Sequence, residues 1–370
     1  MSKRSFPNWY KLAEYAPNIT PKKFQAMSYE EKEALVQNTG LSPEIQKLFF
    51  TQEYEGKRYV LRNLAENNNL SPQTQSMFFT QEYNGKDWVL RYLALNTGLS
   101  PEIQKLFFTQ EFFTQEYEGK RNILRNLAYN TNLSSQTQQL FFTQEYEGKS
   151  EVLEALAENK TILTQTQLLF FKPEYWSKDI YLSSLAKNPS LTPEIQKLFF
   201  TQEYEGKRYV LEELAKNTSI PTQTQLLFFT EKYEGKGDIL RTLAQNTGIS
   251  PQTQLLFLTQ EYEGKDISLS RLAQNTGISS QTQSMFFTEK YVGKDWALRY
   301  LALNTSISPE IQTLFFTQEY EGKSLALRWL AWNTSFLKGF TLQEMREFTK
   351  TNKLIVYLKR LKTIREKIKL

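Results

Sequence analysis

Residues 41–69 read LSPEIQKLFFTQEYEGKRYVLRNLAENNN, and residues 70–98 read LSPQTQSMFFTQEYNGKDWVLRYLALNTG. The same 29-residue pattern continues to residue 335 and forms ten consecutive repeats. These are residues 41–69, 70–98, 99–132, 133–161, 162–190, 191–219, 220–248, 249–277, 278–306 and 307–335. Fixed periods of about 20 to 50 residues are typical of solenoids and other repeat arrays. The period therefore predicts a chain that grows in one direction, with each repeat packed on its neighbours.

Each repeat carries signals for two short helices. The first, helix A, opens with a pair such as Ser42-Pro43, in which the hydroxyl caps the helix and proline suits its first position. A glycine follows, and helix B then runs from a lysine to an asparagine, as from Lys57 to Asn67. No segment alternates apolar and polar residues as a half-buried strand would. The prediction is an all-α fold, an α-solenoid of ten two-helix repeats with a cap at each end.

The domain organisation follows from where the pattern starts and stops. Residues 1–40 are predicted to be an N-terminal cap with a degenerate half-repeat, because Leu35-Val36-Gln37-Asn38 matches the end of a repeat. Residues 41–335 form the solenoid. Residues 336–370 are predicted to be a basic amphipathic C-terminal cap: residues 338–370 have a net charge of +7, whereas the other 337 residues sum to −2. A basic amphipathic helix can also bind a membrane, a second chain or nucleic acid, and these alternatives stay open.

The third repeat is five residues longer than the others. Phe107–Glu111 is followed at once by a second copy, Phe112–Glu116, which places a five-residue duplication at 111–115. Five residues turn a helix by about 500°, so a single helix cannot keep both phenylalanine pairs on its buried face. We expect an overlong helix A or a looped-out turn here, with a local break in the superhelix.

The composition and motifs do not indicate a catalytic site. The chain has no cysteine and no histidine, which excludes disulfides, thiolate chemistry and Cys/His metal sites. All five aspartates fall at the start of helix B, where a carboxylate suits the helix dipole, and no carboxylate pair or glycine-rich phosphate loop stands out. We predict a non-enzymatic protein without catalytic residues, metal, cofactor or small-molecule substrate. No apolar run approaches a membrane span and no signal segment is evident, so we expect a cytoplasmic protein and regard a membrane partner as disfavoured.

A short motif carries a family resemblance. Leu61-Arg62-Asn63-Leu64-Ala65-Glu66-Asn67 and the corresponding residues 90–96 resemble bacterial HEAT-like and variant leucine-rich repeats. The resemblance covers residues 41–335 and implies an α-solenoid that binds proteins, peptides or nucleic acids. The cysteine cluster that variant leucine-rich repeats can carry is missing. The resemblance supports the fold, and fold alone does not settle function.

Three columns of residues recur in every repeat. The asparagine that ends helix B, as in Asn67, suits a left-handed helix end, and its amide can bond backbone of the next repeat. The glutamine within helix A, as in Gln46, can bridge successive repeats. The tyrosine before the glycine, as in Tyr54, can seal the turn between the helices with its hydroxyl at the edge. We favour these structural interpretations over a binding ladder or a row of base-stacking rings.

The lysine that opens helix B has two interpretations. A cation at a helix N-terminus opposes the dipole, so something must compensate for it. A salt bridge to the nearby glutamate, such as Glu53, is the favoured explanation. The alternative is a row of phosphate-binding ammonium groups: Lys57, Lys86, Lys120, Lys149, Lys207, Lys236, Lys265, Lys294 and Lys323.

The surface of helix B varies between repeats, and variable side chains on a constant frame are where specificity would lie. Arginine with tyrosine and tryptophan is the composition of interface hot spots. The candidate partner-binding residues are Arg62, Arg91, Arg125, Arg241, Arg271, Arg299, Arg328, Trp88, Trp296, Tyr92, Tyr300 and Trp329. Glu154 and Glu212 interrupt the arginine column, which disfavours a phosphate-tracking stripe. A protein partner is therefore the first hypothesis, a nucleic-acid backbone the second, and an enzyme resembling HEAT-like DNA glycosylases a distant third.

Overall fold

The structure, a computed structural model, describes residues 19–114, 119–175, 179–330 and 332–333. Across these ranges the regular elements are helices, and no strand occurs. Two short helices, α1 (Pro21–Ala26) and α2 (Tyr29–Val36), precede the repeats. The repeats contribute, in chain order, α3 (Pro43–Thr51), α4 (Lys57–Ala65), α5 (Pro72–Thr80), α6 (Lys86–Leu95), α7 (Pro101–Leu106), α8 (Gln110–Thr114), α9 (Lys120–Ala128), α10 (Ser135–Thr143), α11 (Lys149–Glu158), α12 (Thr164–Leu169), a 3₁₀ turn (Pro173–Tyr175), α13 (Asp179–Lys187), α14 (Pro193–Thr201), α15 (Lys207–Lys216), α16 (Thr222–Thr230), α17 (Lys236–Gln245), α18 (Pro251–Thr259), α19 (Lys265–Gln274), α20 (Ser280–Thr288), α21 (Lys294–Leu303), α22 (Pro309–Thr317) and α23 (Lys323–Leu330).

Helices A and B alternate along the chain as the repeat pattern predicts. Within residues 1–190 and within residues 191–370, helix B packs on the helix B of the next repeat and helix A packs on the next helix A, as α17 on α19 and α16 on α18 show. The fold class is therefore confirmed as an α-solenoid. The chain divides into two compact units, residues 1–190 and 191–370, and the same helix stacking occurs within each.

The apolar core is one phenylalanine-rich layer repeated many times. Phe49 and Phe50 of the first repeat are both buried, and the Phe50 ring lies edge-on to Phe78 of the second with their centroids 4.8 Å apart. Leu48 of the same helix is only half-buried. Helices of nine residues are too short to be stable alone in water. Each phenylalanine that is buried between repeats supplies roughly 1.5–3 kcal/mol toward their stability.

The predicted helix boundaries have clear physical causes. The Ser71 hydroxyl accepts a hydrogen bond from the Thr74 amide, and Pro72 follows it at the start of helix A. At the start of helix B, Gly56 has a φ of 72°, in the left-handed region that costs glycine little. A compact turn therefore joins the two helices without a strained side chain.

The third repeat accommodates its duplication by dividing helix A. The helix α7 ends at Leu106, a turn follows, and α8 occupies Gln110–Thr114. The rings of the first phenylalanine pair keep the usual core contacts, since Phe79 lies 4.8 Å from Phe107 and Phe108 lies 4.9 Å from Phe141. The second pair adds one more buried ring, Phe112. The helix ends early, so three of the four rings are buried.

The hydrogen bonds that join repeats continue past this insertion. The Asn130 amide donates to the carbonyl oxygens of Ala94 (2.8 Å) and Asn96 (2.9 Å), as corresponding asparagines do elsewhere. The Gln104 side-chain oxygen accepts from the Ser134 amide at 2.9 Å. The expected local break therefore does not extend to these bonds, because Gln104 and Asn130 lie outside the duplicated segment.

The residues before the first repeat cover its apolar end. The Phe24 ring of α1 is fully buried and lies edge-on to Phe49, with centroids 4.9 Å apart. Lys32 of α2 is also buried, and its ammonium donates to the Met27 carbonyl oxygen just beyond α1. The C-terminal cap predicted at 336–370 lies outside the described residues.

Candidate interaction surface on helix B

The asparagine column is a structural ladder. Asn246 donates from its amide to the carbonyl oxygens of Ala215 (2.7 Å) and Asn217 (3.0 Å) of the preceding repeat. Its side-chain oxygen accepts from the Gly248 amide at 2.8 Å, so all three bonds reach backbone. Two details differ from the expectation: the asparagine is extended rather than left-handed, with φ −71° and ψ 116°, and it reaches back to the preceding repeat. A side chain that is used in this way is not available to a ligand.

The glutamine column forms a second ladder, which bridges successive repeats as predicted. Gln254 donates to the carbonyl oxygens of Ile249 (3.0 Å) and Gly277 (3.1 Å). Its side-chain oxygen accepts from the Ser279 amide of the next repeat at 2.9 Å. Both ends of this buried amide are therefore occupied by the protein itself.

The tyrosine column closes the turn between the helices. The Tyr204 hydroxyl donates to the Phe199 carbonyl oxygen at 2.9 Å, and burial raises the pKa of this phenol. The hydroxyl therefore points into the repeat rather than to its edge. Buried rings of this kind are not a platform for stacking bases.

The lysine column contacts the end of helix A. The Lys207 ammonium donates to the Phe200 carbonyl oxygen at 2.7 Å and pairs with Glu203 at 3.1 Å. A cation suits the C-terminal end of helix A, which offsets its unfavourable place at the start of helix B. The same carbonyl contact is made by Lys57, Lys86, Lys120, Lys149, Lys236 and Lys294. Lys265 and Lys323 pair with Glu261 and Glu319. These contacts favour the structural interpretation over phosphate binding.

Two repeats show what compensates for this lysine when its glutamate is missing. Lys232 and Lys290 stand where the other repeats have the pairing glutamate. Lys236 and Lys294 instead donate to the carbonyl oxygens of Glu231 (2.9 Å) and Glu289 (2.8 Å). Burial lowers the pKa of both ammonium groups.

The helix B face of residues 1–190 brings several candidate residues into contact across repeats. The Arg62 guanidinium lies 4.3 Å from the centre of the Tyr92 ring and pairs with Glu66 at 3.0 Å. Trp88 contacts both Tyr59 and Tyr92 edge-on, at 5.7 and 5.4 Å. The structure thus brings together Arg62, Tyr92 and Trp88 as a partly exposed cluster.

Two further arginines of this unit lie on the same face. Arg91 is half-buried near Asp87, with 4.0 Å between the guanidinium and the carboxylate. Arg125 is exposed and lies 5.7 Å from the Tyr129 ring.

The helix B face of residues 191–370 carries the remaining candidates. Arg299 lies 4.5 Å over the Trp296 ring and pairs with Asp295 at 2.8 Å, which leaves only 13% of its side chain exposed. The Tyr300 and Trp329 rings meet at 5.5 Å, and Arg241 pairs with Asp238 at 3.0 Å. Arg271 and Arg328 are exposed.

Open grooves separate some neighbouring helices B of this unit. A groove of about 320 Å³ lies between α19 and α21, and its walls include Ile267, Ser270, Trp296 and Tyr300. A second groove of about 230 Å³ lies between α17 and α19, with Asp238, Arg241 and Ile267 in its walls. The sequence hypothesis named Trp296, Tyr300 and Arg271 but missed Ile267 and Ser270. The one signal in the sequence is that Ile267 and Ser270 stand where repeat 1 has the larger Tyr59 and Arg62.

No family model, no curated protein and no solved structure matches this chain. The likeness to HEAT-like repeats therefore stays at the level of a repeated helical arrangement. None of the described helices has both the length and the apolar character to cross a membrane.

Proposed function

We propose that this chain is a non-enzymatic scaffold that recognises another protein through the helix B surface. The observation that carries the proposal is that the constant and the variable side chains have different surroundings. The constant polar side chains form hydrogen bonds and ion pairs within the solenoid, whereas the variable helix B face exposes aromatic side chains to solvent. Tyr59, Tyr209 and Trp296 are 43%, 63% and 51% exposed.

The chemistry of the face supports a protein over a nucleic acid. Exposed aromatic rings with arginines beside them are the residues that dominate protein interfaces. Acidic residues lie among them, including Glu151, Glu154 and Glu213, and these would repel a phosphate backbone. The lysines that could have bound phosphates donate to carbonyl oxygens at the end of helix A or, for Lys265 and Lys323, pair with a glutamate. The HEAT-like resemblance is consistent with such binding and adds no partner identity.

Chemical cross-linking in the cells that produce the protein, followed by nuclease treatment and purification, tests the proposal. We expect protein partners that persist after nuclease treatment and that an R62E/R125E variant fails to retain. The matched control is K47E/K197E, which makes the same charge change at exposed positions of helix A. Thermal unfolding checks that both variants remain folded.

Two results would contradict the proposal. Loss of partners on nuclease treatment, together with salt-sensitive binding of a generic DNA duplex, would favour the nucleic-acid alternative. Equal loss of partners in both variants would mean that the helix B face has no special role.

A further inference from the structure

Two helices of nearly identical sequence lie in different surroundings. Residues 85–96 and 293–304 differ at one position, where Val89 corresponds to Ala297. Each helix therefore offers the same pair of rings to the helix B that precedes it, Trp88 with Tyr92 and Trp296 with Tyr300. What differs is the preceding helix, so the two sites form a natural comparison.

In the first repeats the protein covers this ring pair itself. Tyr59 lies edge-on to Trp88 with centroids 5.7 Å apart, and the Arg62 guanidinium lies 4.3 Å from the Tyr92 ring. Trp88 is consequently half-buried.

In repeats 8 and 9 the covering side chains are replaced by smaller ones. Ile267 stands in the place of Tyr59, and Ser270 stands in the place of Arg62. The result is the groove of about 320 Å³, and Trp296 is 51% exposed. Open aromatic surface next to a well-formed concavity is typical of a site that binds a side chain of a partner.

Two charged side chains line this groove, Asp266 and Arg271, and they stand five residues apart in α19, about 7.5 Å along the helix. The Arg271 end therefore favours an acidic group, and Arg271 makes no ion pair with any residue that the structure describes. Its guanidinium is thus available for a carboxylate, which it can bind through two parallel hydrogen bonds.

Other occupants fit the groove less well. A cationic side chain could pair with Asp266, but beside the rings it would meet Arg271 and also Arg299, whose guanidinium already stacks on Trp296. A nucleic acid could stack on the rings, but it carries a phosphate at every nucleotide, so its backbone would extend past Arg271 and meet Asp266 or, in the adjoining groove, Glu263, whereas a single carboxylate needs to reach only Arg271.

We propose that the groove between α19 and α21 binds a segment of another protein that carries an aromatic side chain next to a carboxylate. The aromatic ring packs against Trp296 and Tyr300, as Tyr59 packs against Trp88 in the first repeats. The carboxylate pairs with Arg271. This inference rests on the proposed scaffold function and names the chemistry that one part of the helix B face recognises.

Selection of short random peptides displayed on phage against the full chain tests this site. We expect enriched peptides to share an aromatic residue adjacent to Asp or Glu, and to be captured through the groove. The decisive variant is I267Y/S270R, which fills the groove with the residues that repeat 1 already accommodates, so it should fold. Fluorescence anisotropy of a labelled enriched peptide should show affinity weaker by about tenfold or more for this variant and for R271E.

A gain of binding gives the converse test. The variant Y59I/R62S/N63R should open the corresponding groove in repeats 1 and 2 and bind a second equivalent of the same peptide. Enrichment of basic peptides, no enrichment, or equal binding to I267Y/S270R would overturn the inference. So would displacement of the peptide by single-stranded oligonucleotides. If cellular partners persist on I267Y/S270R but are lost on R62E/R125E, the scaffold function stands and this inference fails.

Discussion

The constant interior of each repeat and the variable face of helix B follow opposite rules. In the interior, asparagine, glutamine, tyrosine and lysine recur because each bonds backbone atoms whose positions are the same in every repeat. On the helix B face, one position holds Arg62, Glu154 and Ser270 in different repeats, because no backbone bond that recurs in every repeat depends on the side chain there. A polar side chain that recurs in every repeat of this chain therefore bonds the backbone. A position that varies between repeats lies on the surface, where a side chain can change without loss of such a bond.

The interior and the helix B face should differ most in how much stability is lost when an apolar side chain is truncated. Phe257 is fully buried, and its ring lies 4.9 Å from Phe229. We expect Phe257→Ala to lower the free energy of unfolding by about 3–5 kcal/mol, because it removes buried surface and leaves a cavity. Ile267→Ala on the helix B face should change it by less than about 0.5 kcal/mol. Urea denaturation measures both, and similar losses would erase the distinction between interior and face.

Loss of an asparagine of the ladder should have the second largest effect on stability. Replacing Asn246 with alanine removes three hydrogen bonds and leaves two buried carbonyl oxygens and one amide without their partner. We expect a loss of about 2–4 kcal/mol in the free energy of unfolding. Thr247→Ala alters the neighbouring exposed residue and serves as the control. A ladder variant as stable as this control would show that the bonds do not hold the repeats together.

The lysine column should have a smaller effect. In Lys207→Met the apolar stem keeps its packing, but the Phe200 carbonyl and Glu203 lose their partner. We expect a loss of about 1–2 kcal/mol, while Lys197→Met, at an exposed helix A position, should be nearly neutral. Chemical denaturation of both variants tests this. Equal effects would mean that Lys207 is an ordinary surface cation that can bind phosphate.

The smallest expected effect is a gain. In other repeats a glutamate stands at the position of Lys232 and pairs with the lysine that opens helix B. Lys232→Glu restores that glutamate beside Lys236. The pair should add about 0.3–0.5 kcal/mol to the free energy of unfolding and raise the pKa of Lys236, which burial lowers. Lys290→Glu, beside Lys294, offers a second instance. A salt-dependent rise in melting temperature checks both, and destabilisation would mean that the ammonium needs no carboxylate.

The sequence predicted the contacts inside the repeat more completely than those on the helix B face. The glutamine bridge and the lysine–glutamate pairs followed from spacing alone, since these partners lie on adjacent turns or in consecutive repeats. The bond from Lys207 to the Phe200 carbonyl was missed because seven residues separate the two across a turn whose geometry the pattern does not specify. The groove was missed because it depends on Ser270 lying opposite Tyr300, a register between neighbouring helices that appears only once they are packed.

The backward reach of each asparagine has a consequence for how the gene can change. Because the ladder joins neighbouring repeats of residues 191–370 through the same carbonyls, a repeat that was gained, lost or exchanged there by recombination would meet compatible neighbours on both sides. Such an exchange leaves the interior intact but creates a new pair of neighbouring helices B. The pairing of Ser270 with Tyr300 illustrates the effect, since a groove lies beside this tyrosine, whereas Arg62 covers the corresponding Tyr92. Changes in copy number and order would therefore produce new grooves on the helix B face from existing repeats, without a single substitution.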